Sequence, residues 1–291
     1  MPDSLVRKIV DARVHRPHAV AEAAARRRRP TSVLGEHGKL MIIAADHPAR
    51  GALRAGADAL AMASRSDLLD RLRLALSRPG VNGVLGTPDI LEDLLLAGAL
   101  DDKVVIGSMN RGGLAGTSFE IDDRFTAYDA ASIAAAGFEG GKMLLRIDPR
   151  DAGTVATLES CGRAVSDLAR HGLMAMVEPF ISHRLDGRVK NELTAEAMIR
   201  AMTVSAGLGT TSAYTWLKVP VVEDMERVMA ATTLPALILG GEVANDQDAT
   251  LNSWSKALAL PTVQGLVIGR SLLYPPGDDV AAAVDKAVSL L

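Results

Sequence analysis

The run Tyr214-Thr215-Trp216-Leu217-Lys218-Val219-Pro220 sets a single lysine in an aromatic and β-branched stretch that ends at a proline. Such a stretch reads as a buried strand. A lysine held there must meet an anion, give up its proton or do chemistry. Working outward in both directions, further short apolar runs lie at 40–45, 81–85, 104–107, 143–147, 173–177, 236–239 and 266–268. With 213–219 they make eight candidate strands, and the lysine sits on the sixth. Between them, apolar residues recur at three- and four-residue spacing over 67–76, 90–96, 127–136, 155–169, 195–205 and 222–230, and again over 280–290, which reads as crossover helices. Thr194, Thr87-Pro88-Asp89 and Asp278-Asp279 stand where helix starts need capping groups.

Eight strands alternating with helices is the pattern of a closed parallel barrel. A doubly wound open sheet also alternates, but it usually shows a glycine-rich fingerprint after its first strand. Here the first strand runs into Ala45-Asp46-His47-Pro48, without those glycines. The sequence therefore predicts an α/β fold, a single (β/α)8 TIM barrel over 40–291. An N-terminal, mostly helical extension over 1–39 is expected to cap its bottom or side.

Composition fits one compact body for a small-molecule ligand. The chain has 291 residues, 48% hydrophobic and 23% charged, enough for a sizeable core. Aromatics at 3% and a net charge of -3 give no stacking platform or basic footprint, so no nucleic-acid partner is expected. No apolar run reaches the ~18 residues of a membrane span. The lone Cys161 excludes an intrachain disulfide, and the first residues lack a signal peptide's apolar segment, so the expected location is cytoplasmic. The run from Arg26 to Arg29 reads as a solvated helix end.

In barrels of this class the site is built at the C-terminal ends of the strands. The first strand delivers Asp46 and His47, with Arg50 close behind. The third ends in Ser108-Met109-Asn110-Arg111, and Asn110 and Arg111 are expected to face the ligand. On the fourth, alternation puts Lys142, Leu144, Arg146 and Asp148 on one face. The fifth ends at Glu178-Pro179, followed by a polar loop with His183, Arg184, Arg188 and Lys190. Gly240-Gly241 follows the seventh strand and Gly269-Arg270-Ser271 the eighth. These last two loops make a phosphate cradle, because bare backbone N–H groups and a guanidinium fork suit a phosphate dianion. The alternative is that the glycines only make tight turns.

Lys218 attacking a ketone must be a neutral amine, its pKa lowered by an apolar wall or by Lys142 and Arg146. The iminium then withdraws electrons from the neighbouring carbon–carbon bond, and a base and an acid complete the cleavage. Glu178 and Asp46 are the carboxylates so placed; the alternative is that they are ion partners only. Of six histidines, His15, His18 and His37 precede the barrel and His171 ends a helix, leaving His47 and His183. No metal-ligand spacing is present, so neither a metal nor another cofactor is expected.

These motifs resemble the class I, Schiff-base aldolases of bacterial and archaeal type, which act on fructose bisphosphate, tagatose bisphosphate and sulfofructose phosphate. The resemblance runs from about Lys39 to Ser271. It rests on Ala45-Asp46-His47, Gly140-Gly141-Lys142, Glu178-Pro179, Leu217-Lys218-Val219, Leu239-Gly240-Gly241 and Val267-Ile268-Gly269-Arg270. It implies a Schiff base on Lys218, a positioning or proton-shuttling Asp46, phosphate binding by the last two loops, and a homo-oligomer that the alanine-rich outer helices would allow. The archaeal fructose-bisphosphate members resemble Tyr-Pro where this chain has Glu178-Pro179. That places the sequence nearer the tagatose-bisphosphate and sulfofructose-phosphate branch. Related barrels in inositol breakdown cleave a phosphorylated deoxy-keto-gluconate into dihydroxyacetone phosphate and malonate semialdehyde. Arg50, Arg111, Arg184 and Arg188 would serve such an acidic substrate. The expected function is thus cleavage of a phosphorylated ketose or keto sugar acid. Two alternatives stay open: an acyl transferase of thiolase type using the same lysine, and a non-catalytic sugar-phosphate-binding barrel.

Overall fold

The computed structural model describes residues 4–35, 38–241, 243 and 246–291. The strands are β1 (Leu40–Ala44), β2 (Gly83–Gly86), β3 (Val104–Ser108), β4 (Gly140–Ile147), β5 (Met174–Leu185), β6 (Arg188–Asn191), β7 (Thr215–Val219), β8 (Ala236–Leu239) and β9 (Val263–Ile268). All but β6 pair in parallel in the circular order β1, β2, β3, β4, β5, β7, β8, β9, with β9 returning to β1. The result is a closed eight-strand barrel ringed by helices, a single (β/α)8 TIM barrel.

Strand alternation decides what fills it. Leu40, Ile42, Ala44, Val104, Ile106, Met174, Met176, Leu237 and Val267 form an inner cluster, while Met41, Ile43, Val105, Ala175, Val177 and Ile268 belong to the outer cluster shared with the helices. Extending the inward phase by one more step reaches Asp46 after Ala44, Glu178 after Met176, Lys218 after Trp216 and Gly269 after Val267. The pattern that packs the barrel floor with apolar groups thereby lifts the charged groups to its C-terminal mouth.

Two elements depart from the sequence reading. The polar loop expected after the fifth strand is a hairpin: β5 continues to Leu185 and β6 returns antiparallel, with Leu185 opposite Arg188. Its two-residue turn, Asp186-Gly187, has both residues at positive φ, the Asp-Gly signature of a type I′ turn. A helix at Gln247–Leu258, capped by the Asp246 side chain on the amide of Ala249, lies between β8 and β9, where the sequence reading named none. Strand four also starts three residues before its apolar run, because Gly140 and Gly141 join the ladder without side chains to mark them.

Ahead of the barrel lie two helices, α1 (Ser4–His15) and α2 (Ala19–Arg26). The arginine run that follows is not uniformly solvated. Arg27 is buried, donating to the carbonyls of Lys103 (2.8 Å) and Gly137 (2.5 Å) and pairing with Glu139 at 3.0 Å. Glu139 in turn accepts the Val105 amide at 2.8 Å. This buried pair fastens the N-terminal segment beneath β3 and β4. The His37 side of the chain lies outside the described residues. Among the described residues no helix is long and apolar enough to cross a membrane.

Gly265 is where β9 presses hardest on β1. Its φ is +144°, and a Cβ there would lie 2.0 Å from the Leu40 carbonyl oxygen. Gly265→Ala is expected to lower stability by about 3 kcal/mol through backbone strain and lost β1–β9 pairing. Urea denaturation of the two proteins measures this, and a loss under about 1 kcal/mol contradicts it.

Candidate active site

The mouth of the barrel holds a cavity of about 570 Å³. Among the described residues its walls carry seven cationic side chains, Arg50, Arg111, Lys142, Arg146, Lys190, Lys218 and Arg270, against three carboxylates, Asp46, Glu120 and Glu178. An excess of positive charge in a concave, largely desolvated site selects anionic ligands.

At its floor runs a chain of contacts. Lys218 Nζ lies 3.1 Å from Glu178 Oε1, and Glu178 Oε2 lies 2.5 Å from Lys142 Nζ. Lys142 reaches Asp46 Oδ2 at 3.0 Å. The same oxygen meets Arg111 at 3.1 Å and accepts the Ser108 hydroxyl at 3.1 Å. Lys218 is 4% exposed and Asp46 and Lys142 each 1%, so these charges must satisfy one another. Burial opposes the charge on Asp46, but Lys142 and Arg111 outweigh it and hold the carboxyl well below its ordinary value. Burial likewise opposes ionisation of Glu178, yet Lys142 and Lys218 hold it down to about 2. Burial and the neighbouring Arg111 lower Lys142 against the pull of Asp46 and Glu178. His47 is pushed down to about 3 by burial and the cations around it, against the attraction of Asp46 4.0 Å away, and is therefore neutral.

On the β8 and β9 side, Gly240, Gly241, Gly269 and Arg270 line the cavity. Gly241 adopts φ +67° with open space where a Cβ would be, whereas a Cβ on Gly269 would strike the Ala44 carbonyl at 2.6 Å. The glycines thus serve both the close packing and the open approach that the sequence reading weighed. Arg270 Nε is buried without a hydrogen-bond partner. Glu242, which ends that stretch in sequence, lies outside the described residues.

Of the residues singled out from sequence, Lys218, Glu178, Asp46, Lys142, His47, Arg50, Arg111, Arg146, Gly240, Gly241, Gly269 and Arg270 converge on this one cavity. His183 and Arg184 do not line it. Strand continuation carries them onto the hairpin, where His183 meets Glu192 at 3.0 Å and Arg184 meets Asp151 at 2.8 Å. Asn110 turns away as well, its amide exchanging two hydrogen bonds with the Leu144 backbone and tying the β3 loop to β4. Lys190, expected in the polar loop after the fifth strand, lines the cavity from β6, a strand that the Asp-Gly turn signal would have found. Among the described residues, one charged lining residue was not singled out. Glu120 enters from the long irregular loop after β3, where no periodicity marks an inward-facing residue.

The Cgl0159-like family profile matches residues 38–288. The crystal structure of Cgl0159 from Corynebacterium glutamicum is similar at 53% identity, over 100% of this chain and 97% of that one, with a TM-score of 0.96. Two more distant structures share the fold. A Schiff-base-forming fructose-1,6-bisphosphate aldolase aligns at 18% identity over 93% of this chain and 99% of its own, with a TM-score of 0.63. An archaeal fructose 1,6-bisphosphate aldolase aligns at 19% identity over 93% and 98%, with a TM-score of 0.64. No curated protein matches the chain. Among the described residues no group of three or more His, Cys, Asp or Glu is placed to hold a metal ion.

The depressed groups tie stability to acid. His47 and Glu178 both bind protons more weakly in the native state than in the unfolded chain, so the unfolded state takes up protons first as pH falls. The contribution of these two groups is complete above about pH 6.5, is lost as pH falls through the His47 window, and is lost further through the carboxylate window toward about 2. Burial raises Asp123 to about 6, so it acts with the opposite sign over part of that range. Glu178→Gln removes part of the lower decline and leaves the upper one. Urea midpoints measured across this range check it; parallel curves for the two proteins contradict it.

Proposed function

The chain belongs to the Cgl0159-like family, and we propose that it is a class I aldolase. It cleaves a phosphorylated ketose or keto sugar acid through a Schiff base on Lys218 and releases dihydroxyacetone phosphate and an aldehyde. The observation that carries this reading is the carboxylate of Glu178 bridging Lys218 at 3.1 Å and Lys142 at 2.5 Å inside a cavity lined by a glycine-rich cradle.

Glu178 is within reach to take a proton from Lys218, leaving the amine nitrogen's lone pair to add to the ketone carbon. The carbinolamine oxygen is protonated and departs as water, giving a cationic iminium. Deprotonation of the hydroxyl on the second carbon from the iminium carbon breaks the bond between that carbon and the one adjacent to the iminium. The O–H electron pair becomes the second bond of the aldehyde carbonyl, the C–C pair forms the enamine double bond, and the C=N pair returns to nitrogen. A proton returned to the enamine carbon regenerates the iminium, and water hydrolyses it to ketone and free Lys218.

A carboxylate held at about 2 in the resting network retains a proton poorly by itself. Lys142, 2.5 Å away and with its own pKa lowered by burial and Arg111, is placed to share that proton with the Glu178 carboxylate. Asp46 and Arg111 fix Lys142 from behind. The aldolases that share this fold at 18–19% identity support a lysine-centred barrel chemistry by architecture alone.

Incubation with dihydroxyacetone phosphate followed by borohydride and peptide mass mapping tests the proposal. A reduced adduct is expected on Lys218, lost in Lys218→Arg. Glu178→Gln is expected to keep ligand binding and to slow turnover by about 10²-fold or more. Phosphate binding with no adduct at any lysine overturns the aldolase reading in favour of a binding barrel.

A further inference from the structure

β3 and β4 stand four places from β8 and β9 in the circle of eight, on the opposite wall of the barrel. There a second cationic cluster faces the cavity. Arg50, following β1, and Arg146, on β4, both contact one carboxylate oxygen of Glu120, at 3.0 and 3.3 Å. The other oxygen of Glu120 accepts the Gly116 amide at 2.7 Å, and its backbone carbonyl accepts Arg146 at 2.7 Å. Glu120 is only 6% exposed, so its charge is committed to this cluster.

The cluster is not saturated. Arg50 Nε and one terminal nitrogen of Arg111 are buried without hydrogen-bond partners, and Arg111 is 5% exposed. Buried guanidinium donors left unpaired are costly and call for an acceptor. The charge left for that acceptor follows from the contacts. Arg111 and Lys142 are balanced together by Asp46 and Glu178, so with Lys218 as the neutral amine the two guanidinium groups of Arg50 and Arg146 and the one carboxylate of Glu120 leave a single positive charge. Asp123 does not line the cavity; it accepts the Gly113 amide behind Arg111, and any charge it carries lowers the balance further.

We propose that Glu120 is a specificity-determining residue that tunes this wall to a monoanionic carboxylate and against a phosphate dianion. The substrate then carries phosphate at the cradle end and a carboxylate at the other, a phosphorylated sugar acid rather than a sugar bisphosphate. This rests on the proposed function for the placement of the phosphate, but the binding step does not involve Lys218 chemistry. A phosphate monoester bears about 1.5 to 2 negative charges near neutrality, against one for a carboxylate. On a wall with one net positive charge, the dianion leaves an uncompensated negative charge in a desolvated site. Without the Glu120 charge the balance reverses.

Calorimetric titration of the full-length protein with 6-phosphogluconate and with glucitol 1,6-bisphosphate tests this. The probes differ in the anion at one end, and neither has a ketone to form an adduct. Wild type is expected to bind the carboxylate probe more tightly. Glu120→Gln keeps an acceptor for the Gly116 amide and is expected to shift the ratio of the two Kd values toward the bisphosphate by about tenfold, the scale of 1.4 kcal/mol. Glu120→Asp, which keeps the charge, is expected to retain the wild-type preference. Should Glu120→Gln fail to fold, Arg50→Gln is expected to weaken the carboxylate probe by about tenfold while leaving it the preferred one. A wild type that prefers the bisphosphate or binds neither probe, a ratio unmoved in Glu120→Gln, or an Arg50→Gln that binds as wild type overturns the proposal. Failure of adduct formation at Lys218 with this ratio intact overturns the aldolase reading alone.

Discussion

The structure depends on one constraint: several charges are buried at the end of an apolar barrel and must neutralise one another in place. Lys218, Glu178, Lys142, Asp46 and Arg111 form an alternating line of cations and anions with contacts of 2.5 to 3.1 Å. Removing either carboxylate strands the cation at its end of the line, Lys218 beyond Glu178 or Arg111 beyond Asp46, in a low-dielectric site, which generally destabilises by about 3–5 kcal/mol. A barrel that needed only stability would have filled these positions with apolar groups. The arrangement stores pairing energy in a geometry that a ligand can exchange into, which is how buried ionisable groups become reactive.

The line is positioned by strand phase. Glu178 and Lys218 lie on the faces of β5 and β7 whose earlier residues fill the barrel, Lys142 follows Gly140 along one face of β4, and Asp46 continues the phase of β1. Apolar packing below therefore orients the charges above without any special loop. The cavity is asymmetric in consequence. One wall is lined by Gly240, Gly241, Gly269 and Arg270, the opposite wall by two arginines already half-answered by Glu120, and the lysine pair lies between them.

Much of this was legible in the sequence because period-two alternation marks both the strands and their inward residues. Lys218 stood out as a charge inside a β-branched run, and Asp46 and Glu178 as carboxylates one step beyond apolar inward positions. What escaped the reading lacked that periodicity. The hairpin of β5 and β6 alternates polar with polar, so only its Asp-Gly turn announced it. Glu120 lies in an irregular loop where turn contacts with Gly116 and Thr117 and a tertiary hydrogen bond from Arg146 place it, and none of these leaves an alternating pattern. His183 and Arg184 follow the apolar run of strand five, but β5 continues through both and carries them onto the hairpin, off the cavity wall. Arg27 read as one of four similar arginines, and its burial depends on Glu139, 112 positions away.

The central claim is that Lys218 performs carbonyl chemistry. Schiff-base formation expels the ketone oxygen as water and restores it from solvent, so dihydroxyacetone phosphate labelled with 18O at its carbonyl reports it directly. The account predicts that the protein accelerates loss of the label well above the solvent rate, measured by mass spectrometry, and that Lys218→Arg returns the rate to background. Label lost only at the solvent rate, with the ligand bound, would contradict it.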